Sequence, residues 1–302
     1  MSEEERKWRE EREKVLDEWS EIELKFRSGT PIRIEITQGS VDDCMDDIIS
    51  DQPISWDSGI PDDSLISRVL NDDYQLEKES LTGLKTADEF SMNKLMLRCI
   101  CKPSSSASSL QTEQLKDERI LLIAMSKKEY SSQNANHWQL LREFYRSTAS
   151  LALDDPLLAN ECPHMGSHWQ IVGFQGTNPS TDLRGVGLLG LVQLYCLTNL
   201  VQEDKLKEMI MLSRNEPNDF PFAVVGINFT SLLLNKLKRD ELNSLANHFG
   251  SFLKAMNVLY RGCFIKFCKL WKKDNCTVKD FQHVLNAISA MLKKDANALV
   301  KA

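Results

Sequence analysis

Long apolar runs are missing from this 302-residue chain. The longest, Val186 to Val201, is interrupted by Gln193 and Asn199 and is too short for a membrane span. A cleavable leader pattern is missing too, because the N-terminal stretch MSEEERKWREEREK is charged and has no apolar segment. The eight cysteines are therefore expected as free thiols in a reducing compartment, and the expected location is cytoplasmic. Strand-like alternation is scarce, which argues against a sheet protein. Glycine is sparse, at 13 residues, yet six of them fall between Gly166 and Gly190.

Chemical signatures are equally scarce. No GxxxxGK[ST] occurs, so the chain is not expected to hydrolyse nucleotides through a P-loop. The five histidines are scattered, and no nucleophile elbow places a serine beside them. Cys162, His164 and His168 form a C-x-H-x3-H run, but a fourth ligand is not nearby and Pro163 and Gly166 break a common helix face. Structural histidines and no metal are expected there. Cys263, Cys268 and Cys276 do not match CxxC spacing and read as buried or idle thiols. The Asp pairs between Asp42 and Asp73 lack the DxDxDG spacing of a calcium loop. The sequon Asn228-Phe229-Thr230 falls in an apolar helix and is not expected to be glycosylated.

Charge divides the chain. Residues 1–90 hold 25 acidic and 11 basic residues, a net of −14, whereas residues 91–302 carry +7. That split predicts an acidic appendage on a mildly basic folded body. Nucleic-acid binding is not expected, since no dense Lys/Arg stripe interleaved with aromatics is present. Residues 1–26 read as a charged amphipathic helix, with Trp8, Val15, Trp19, Ile22 and Phe26 on one stripe. Residues 27–109 read as an acidic, low-order region and linker, ending in the flexible KPSSSASS stretch. From residue 110 to 302 helical periodicity persists, predicting an all-α domain of about six to eight helices. Asn136 is the expected N-cap of the helix carrying Trp138, Leu141, Phe144 and Tyr145 inward. Further helices are predicted over Gln202–Arg214, Pro221–Leu237, Phe249–Trp271 and Val278–Leu299, the last capped by Thr277.

What is present is the glycine-rich stretch SHWQIVGFQGTNPSTDLRGVGLLGLVQLY, from Ser167 to Tyr195. Trp169 and Phe174 are apolar anchors around Gly173. Thr177-Asn178-Pro179 is a turn signal, and Asn178 or Thr181 can cap the helix that follows. Arg184 is the misfit, because a cation in a helix's first turn meets the positive end of the dipole. Gly185, Gly187 and Gly190 each weaken a helix by about 1 kcal/mol relative to alanine while allowing close backbone approach. From the residues alone, Arg184 can pair with Asp182, fork onto helix C-terminal carbonyls of its own domain, or act on a partner.

The run Trp169-x3-Gly173-Phe174-Gln175-Gly176-x2-Pro179-x-Thr181-Asp182-x-Arg184-Gly185-x-Gly187 closely resembles the signature of the ELMO domain. The resemblance extends from about His137 to Leu299, and FPFAVVGIN, Phe220 to Asn228, is similar to the family's later helix. It implies the ELMO domain-containing group, GTPase-activating proteins for Arf-family and Arf-like GTPases. In that group the arginine of the RGxG element is taken as the catalytic residue, which here is Arg184. The long acidic N-terminal region points toward the third vertebrate type. Asn178 stands where the group often has aspartate. The resemblance further implies an arginine supplied in trans, with GTP and Mg²⁺ carried by the partner GTPase and no cofactor of the chain's own. Membrane association would then come peripherally, through that partner. The alternative reading is a non-catalytic adaptor that binds small GTPases or their regulators.

Overall fold

The computed structural model describes residues 65–70, 108–153 and 162–301, all within one compact unit running from Gly59 to Ala302. The expected helix over residues 1–26 lies outside the described residues, as does most of the acidic region. Within residues 27–109 one piece departs from the low-order expectation. Residues 65–70 are helical and bury Leu65, Ile66 and Val69, while Arg68 donates to Gln139 at 3.2 Å. Six residues bounded by Asp pairs are too short to show a helical period in sequence.

The body is all-α, with no strand among the described residues. Ten α-helices follow in order: α1 Glu113–Met125, α2 Ala135–Ala152, α3 Ser180–Leu183, α4 Gly187–Leu200, α5 Glu203–Ser213, α6 Phe222–Lys238, α7 Asn243–Phe249, α8 Phe252–Lys273, α9 Phe281–Lys294 and α10 Ala296–Val300. Two 3₁₀ turns, Ser167–Val172 and Val278–Asp280, precede α3 and α9. The count exceeds the expected six to eight because α3, α7 and α10 are each seven residues or fewer. Gly250, at φ +68, ends α7, and Ser251 caps α8, so the helix expected from Phe249 starts at Phe252 and α7 is an additional element before it. Asp295 leaves helical geometry and caps α10 in the same way, so the predicted Val278–Leu299 helix is divided. Helix α2 begins one residue before the expected cap. Asn134, rather than Asn136, accepts from Asn136 N and His137 N. Thr277 does cap its helical segment, in a reciprocal box with Asp280.

Helix α4 is the centre of the fold. Leu188 to Leu197 are all buried, Gln193 among them, and α4 packs on α1, α2, α6 and α8. A helix apolar on every side is the expected choice for a position surrounded by others. Helix α1 clamps two of those neighbours with adjacent side chains. The Glu118 carboxylate accepts from Ser251 Oγ at 2.6 Å, Phe252 N at 2.7 Å and Leu253 N at 3.1 Å, covering the N-terminus of α8. Arg119 pairs with Asp240 at 2.8 Å and donates to Leu237 O and Lys238 O at the C-terminus of α6. Each charge meets the helix end of opposite sign.

Candidate functional site

The stretch from Ser167 to Gly187 is built around Trp169. Its indole is fully buried, edge-on to Tyr145 at 5.1 Å and to Phe174 at 5.9 Å, and Phe174 in turn meets Phe144 at 6.1 Å. Nε1 donates to His164 O at 3.3 Å, so the ring's one polar atom is satisfied. These aromatics seat the 3₁₀ turn on α2.

Gly173 then fastens the turn to α6. Its φ is +84, and a Cβ there would lie 2.1 Å from Phe222 N and 2.7 Å from Pro221 C. Its carbonyl accepts from Val224 N at 3.2 Å. Only glycine fits both the conformation and the space.

Asp182 secures the next segment. Its buried carboxylate accepts from Gln175 N at 2.8 Å and lies 3.4 Å from Thr181 Oγ1. Gln170 Nε2 reaches Gln175 O at 3.4 Å. Asn178 Oδ1 accepts from Ser180 N at 3.1 Å and Ser180 Oγ at 2.8 Å, so the amide oxygen supplies the acceptor an aspartate would offer. Thr181 Oγ1 donates to Asn178 O at 2.8 Å, and Pro179 is buried beside it. Gly176 is sterically open, the nearest atom to an added Cβ being Asn178 N at 4.0 Å.

Arg184 follows. The sequence places it in the first turn of a helix, but the short α3 ends at Leu183 and Arg184 is its C-cap, three residues ahead of α4. The dipole conflict is thereby eased. Arg184 and Gly185 are exposed, and the Arg184 side chain makes no hydrogen bond or ion pair among the described residues. Neither Asp182 nor a helix C-terminus holds it. Val186, by contrast, is buried, and Val186 N donates to Leu183 O at 3.1 Å.

Gly187 ends the turn against α1. With φ +56, its Cβ would sit 2.6 Å from Lys128 O and 2.7 Å from both Met125 O and Ser126 O. Leu188 N donates to Lys128 O at 2.9 Å. The orphan amide at the start of α4 thus meets a carbonyl just past the end of α1. Gly187 serves packing within the domain rather than approach to a partner. Nothing in the local sequence names Lys128 as its neighbour.

The C-x-H-x3-H run gathers no metal site, and no group of three or more ligating side chains occurs among the described residues. His164 stacks on Trp138 at 3.8 Å, while His168 stands edge-on to Tyr145 at 5.2 Å. Burial lowers the His168 pKa, against a hydrogen bond to the Pro163 backbone that raises it. Burial also pushes the Cys162 thiol up to about 12, although Arg142 and Arg146 pull it the other way. Asn228 is buried and donates to Val224 O at 2.9 Å, which closes the sequon to modification in the folded domain.

Fold and site together define an all-helical domain in which Arg184, like Arg142 and Arg239, is exposed with its side chain making no ion pair or hydrogen bond among the described residues, but stands on an anchored turn between helices rather than on or at the end of a long one. The profile of the ELMO/CED-12 family matches residues 120–285, more than half of the chain, and the chain belongs to that family. It is 30% identical over 191 residues to ELMO domain-containing protein 3 of Bos taurus, covering 62% of this chain and 48% of that protein. The human protein of the same name is 28% identical over 190 residues, covering 63% of this chain and 48% of its own length. ELMO domain-containing protein B of Dictyostelium discoideum is 30% identical over 134 residues, 44% of this chain and 46% of that one. The chain therefore spans about half the length of these relatives. No solved structure matches it. No described helix is long and apolar enough to cross a membrane.

Proposed function

We propose that the protein is a GTPase-activating protein for Arf-family or Arf-like small GTPases, with Arg184 supplying a guanidinium in trans. The observation that carries this reading is the Arg184 side chain, exposed and without an ion pair or hydrogen bond among the described residues, on a turn where Asp182, Leu183 and Val186 are buried and hydrogen-bonded. Hydrolysis of GTP builds negative charge on the γ-phosphate and the bridging oxygen. A planar fork of donors contacts two of those oxygens at once, which lysine cannot do. Fingers of this kind raise the rate by about 10³–10⁵. GTP and Mg²⁺ belong to the partner, and the chain contributes no cofactor. Trp169, Phe174 and Gly173 hold the platform, and Asp182 holds the loop leading to the arginine.

Single-turnover hydrolysis over a panel of Arf and Arf-like GTPases, with wild type and Arg184→Lys, tests the proposal. Stimulation by wild type that disappears with Arg184→Lys is the expected result, with partner binding kept. Binding without stimulation, indifferent to the substitution, would instead establish the adaptor reading.

A further inference from the structure

The positive charge of the body is concentrated at its C-terminal end. Residues 91–261 hold 18 basic and 16 acidic residues, whereas residues 262–302 hold eight lysines, three aspartates and no arginine or glutamate. Five of the body's seven net charges thus lie in α8 from Gly262 onward, α9, α10 and their connections.

These helices form one block. Helix α8 packs on α9 and α10, and a Cβ on Gly262 would lie 2.0 Å from Leu299 O, so α10 lies directly across α8. Helix α9 buries Phe281, Val284, Leu285, Ile288 and Leu292 on its inner side. Its outer stripe runs His283, Asn286, Ala290, Lys293 and Lys294, every one exposed, and exposed Lys279 in the 3₁₀ turn before it continues the spacing. That stripe is about 21 Å long and carries no carboxylate.

Lys272, Lys273, Lys279, Lys293, Lys294 and Lys301 are exposed, and their side chains make no ion pair or hydrogen bond among the described residues. Elsewhere Lys127 and Lys207 are also exposed without a side-chain partner among the described residues, but singly, and three other lysines are paired with glutamates. Lys116 pairs with Glu113 at 2.6 Å, Lys205 with Glu208 at 3.3 Å, and Lys236 with Glu241 at 2.9 Å. Two of the three aspartates near the lysines are engaged in caps instead. Asp280 accepts from Thr277 N at 2.9 Å and Thr277 Oγ1 at 3.1 Å, and Asp295 accepts from Asn297 N at 3.0 Å and Ala298 N at 3.3 Å.

We infer that the outer face of α8–α10 is a docking surface for an anionic membrane. The charge is spread over exposed positions at the end of α8, along α9 and just after α10. It is carried only by lysine, a point charge without arginine's bidentate fork. The large aromatics of these elements, Phe264, Phe267, Trp271 and Phe281, are fully buried, leaving the single imidazole of His283 as the exposed ring among them. A diffuse, geometry-tolerant cationic surface complements anionic headgroups, each lysine near the surface adding to the attraction. This surface is independent of Arg184 and of the GTPase reading.

The test is co-sedimentation of the full chain with vesicles of phosphatidylcholine alone, or with about one third phosphatidylserine. Binding is expected only to the anionic vesicles, and it should fall steeply as salt rises from about 0.05 to about 0.5 M. The variant Lys272→Gln/Lys273→Gln/Lys293→Gln/Lys294→Gln should bind at least about ten-fold more weakly, with its thermal midpoint unchanged. The control Lys116→Gln/Lys205→Gln should bind as wild type does. Equal binding to both vesicle types, or anionic binding that the four-fold variant leaves intact, would overturn the inference. So would tighter binding to a single-stranded RNA than to anionic vesicles at matched phosphate concentration.

Discussion

Two arginines in this domain are treated in opposite ways. Arg119, on α1, has a side chain only 14% exposed, pairs with Asp240 and donates to two carbonyls at the end of α6. Arg184, on the turn between α3 and α4, is exposed, and its side chain engages nothing among the described residues. The first is a fastener between helices. The second hangs from a turn whose own fastening is done by neighbours: the Asp182 carboxylate, the Gly173 backbone, and Gly187 against α1. One charge is used for stability and the other is held available. Function is therefore expected to separate cleanly from stability at Arg184, and not at Arg119.

The largest effect that sharpens this contrast is kinetic. Arg184→Lys should lower stimulated GTP hydrolysis by about 10³–10⁵ in single-turnover assays. Its thermal midpoint should stay within about 2 °C of wild type, the shift expected for well under 1 kcal/mol in a domain of this size. A midpoint that fell sharply would place Arg184 with Arg119. Next comes Gly173→Ala, which combines positive φ with a clash against three backbone atoms of Pro221 to Ala223. It should cost about 3 kcal/mol or more in denaturant unfolding. Arg119→Met should cost about 1–3 kcal/mol, by leaving the α6 carbonyls and Asp240 without their donor, while any stimulated rate per folded molecule is retained. Gly176→Ala is the smallest. Its Cβ has open space, so stability should change by no more than about 0.5 kcal/mol. A loss of partner stimulation in that stable variant would mark Gly176 as a contact residue.

Periodicity is enough to read the helical class and the course of α2, α5, α6 and most of α8, because each carries an apolar stripe of adequate length. Short elements escape it. Helices α3, α7 and α10 have too few residues for a period to register, and the break at Asp295 falls inside the stretch expected as one helix from Val278 to Leu299. At the site, Trp169, Phe174 and Gly173 are legible as anchors around a turn. The partners of Asp182 and Gly187 are not. Gln175 N is seven residues from Asp182, and the carbonyls facing Gly187 belong to the end of α1, some sixty residues earlier. Glu118 is more remote still from the helix it caps, 133 to 135 residues away. Contacts of that range leave no local pattern, and the exposure of Arg184 is likewise a property of the assembled fold.

The hydrogen bond from Leu188 N to Lys128 O bears on what docking would cost a partner. Disordered loops lose about 1–2 kcal/mol of backbone entropy per residue when a complex immobilises them. Here that ordering already accompanies folding, since the segment is pinned at Gly173, at Gln175 and again at Leu188. A partner would have only the arginine side chain left to immobilise, about 2 kcal/mol of rotamer freedom. Such preorganisation removes an ordering cost from binding and so favours tighter association than a loop that must first assemble itself would allow.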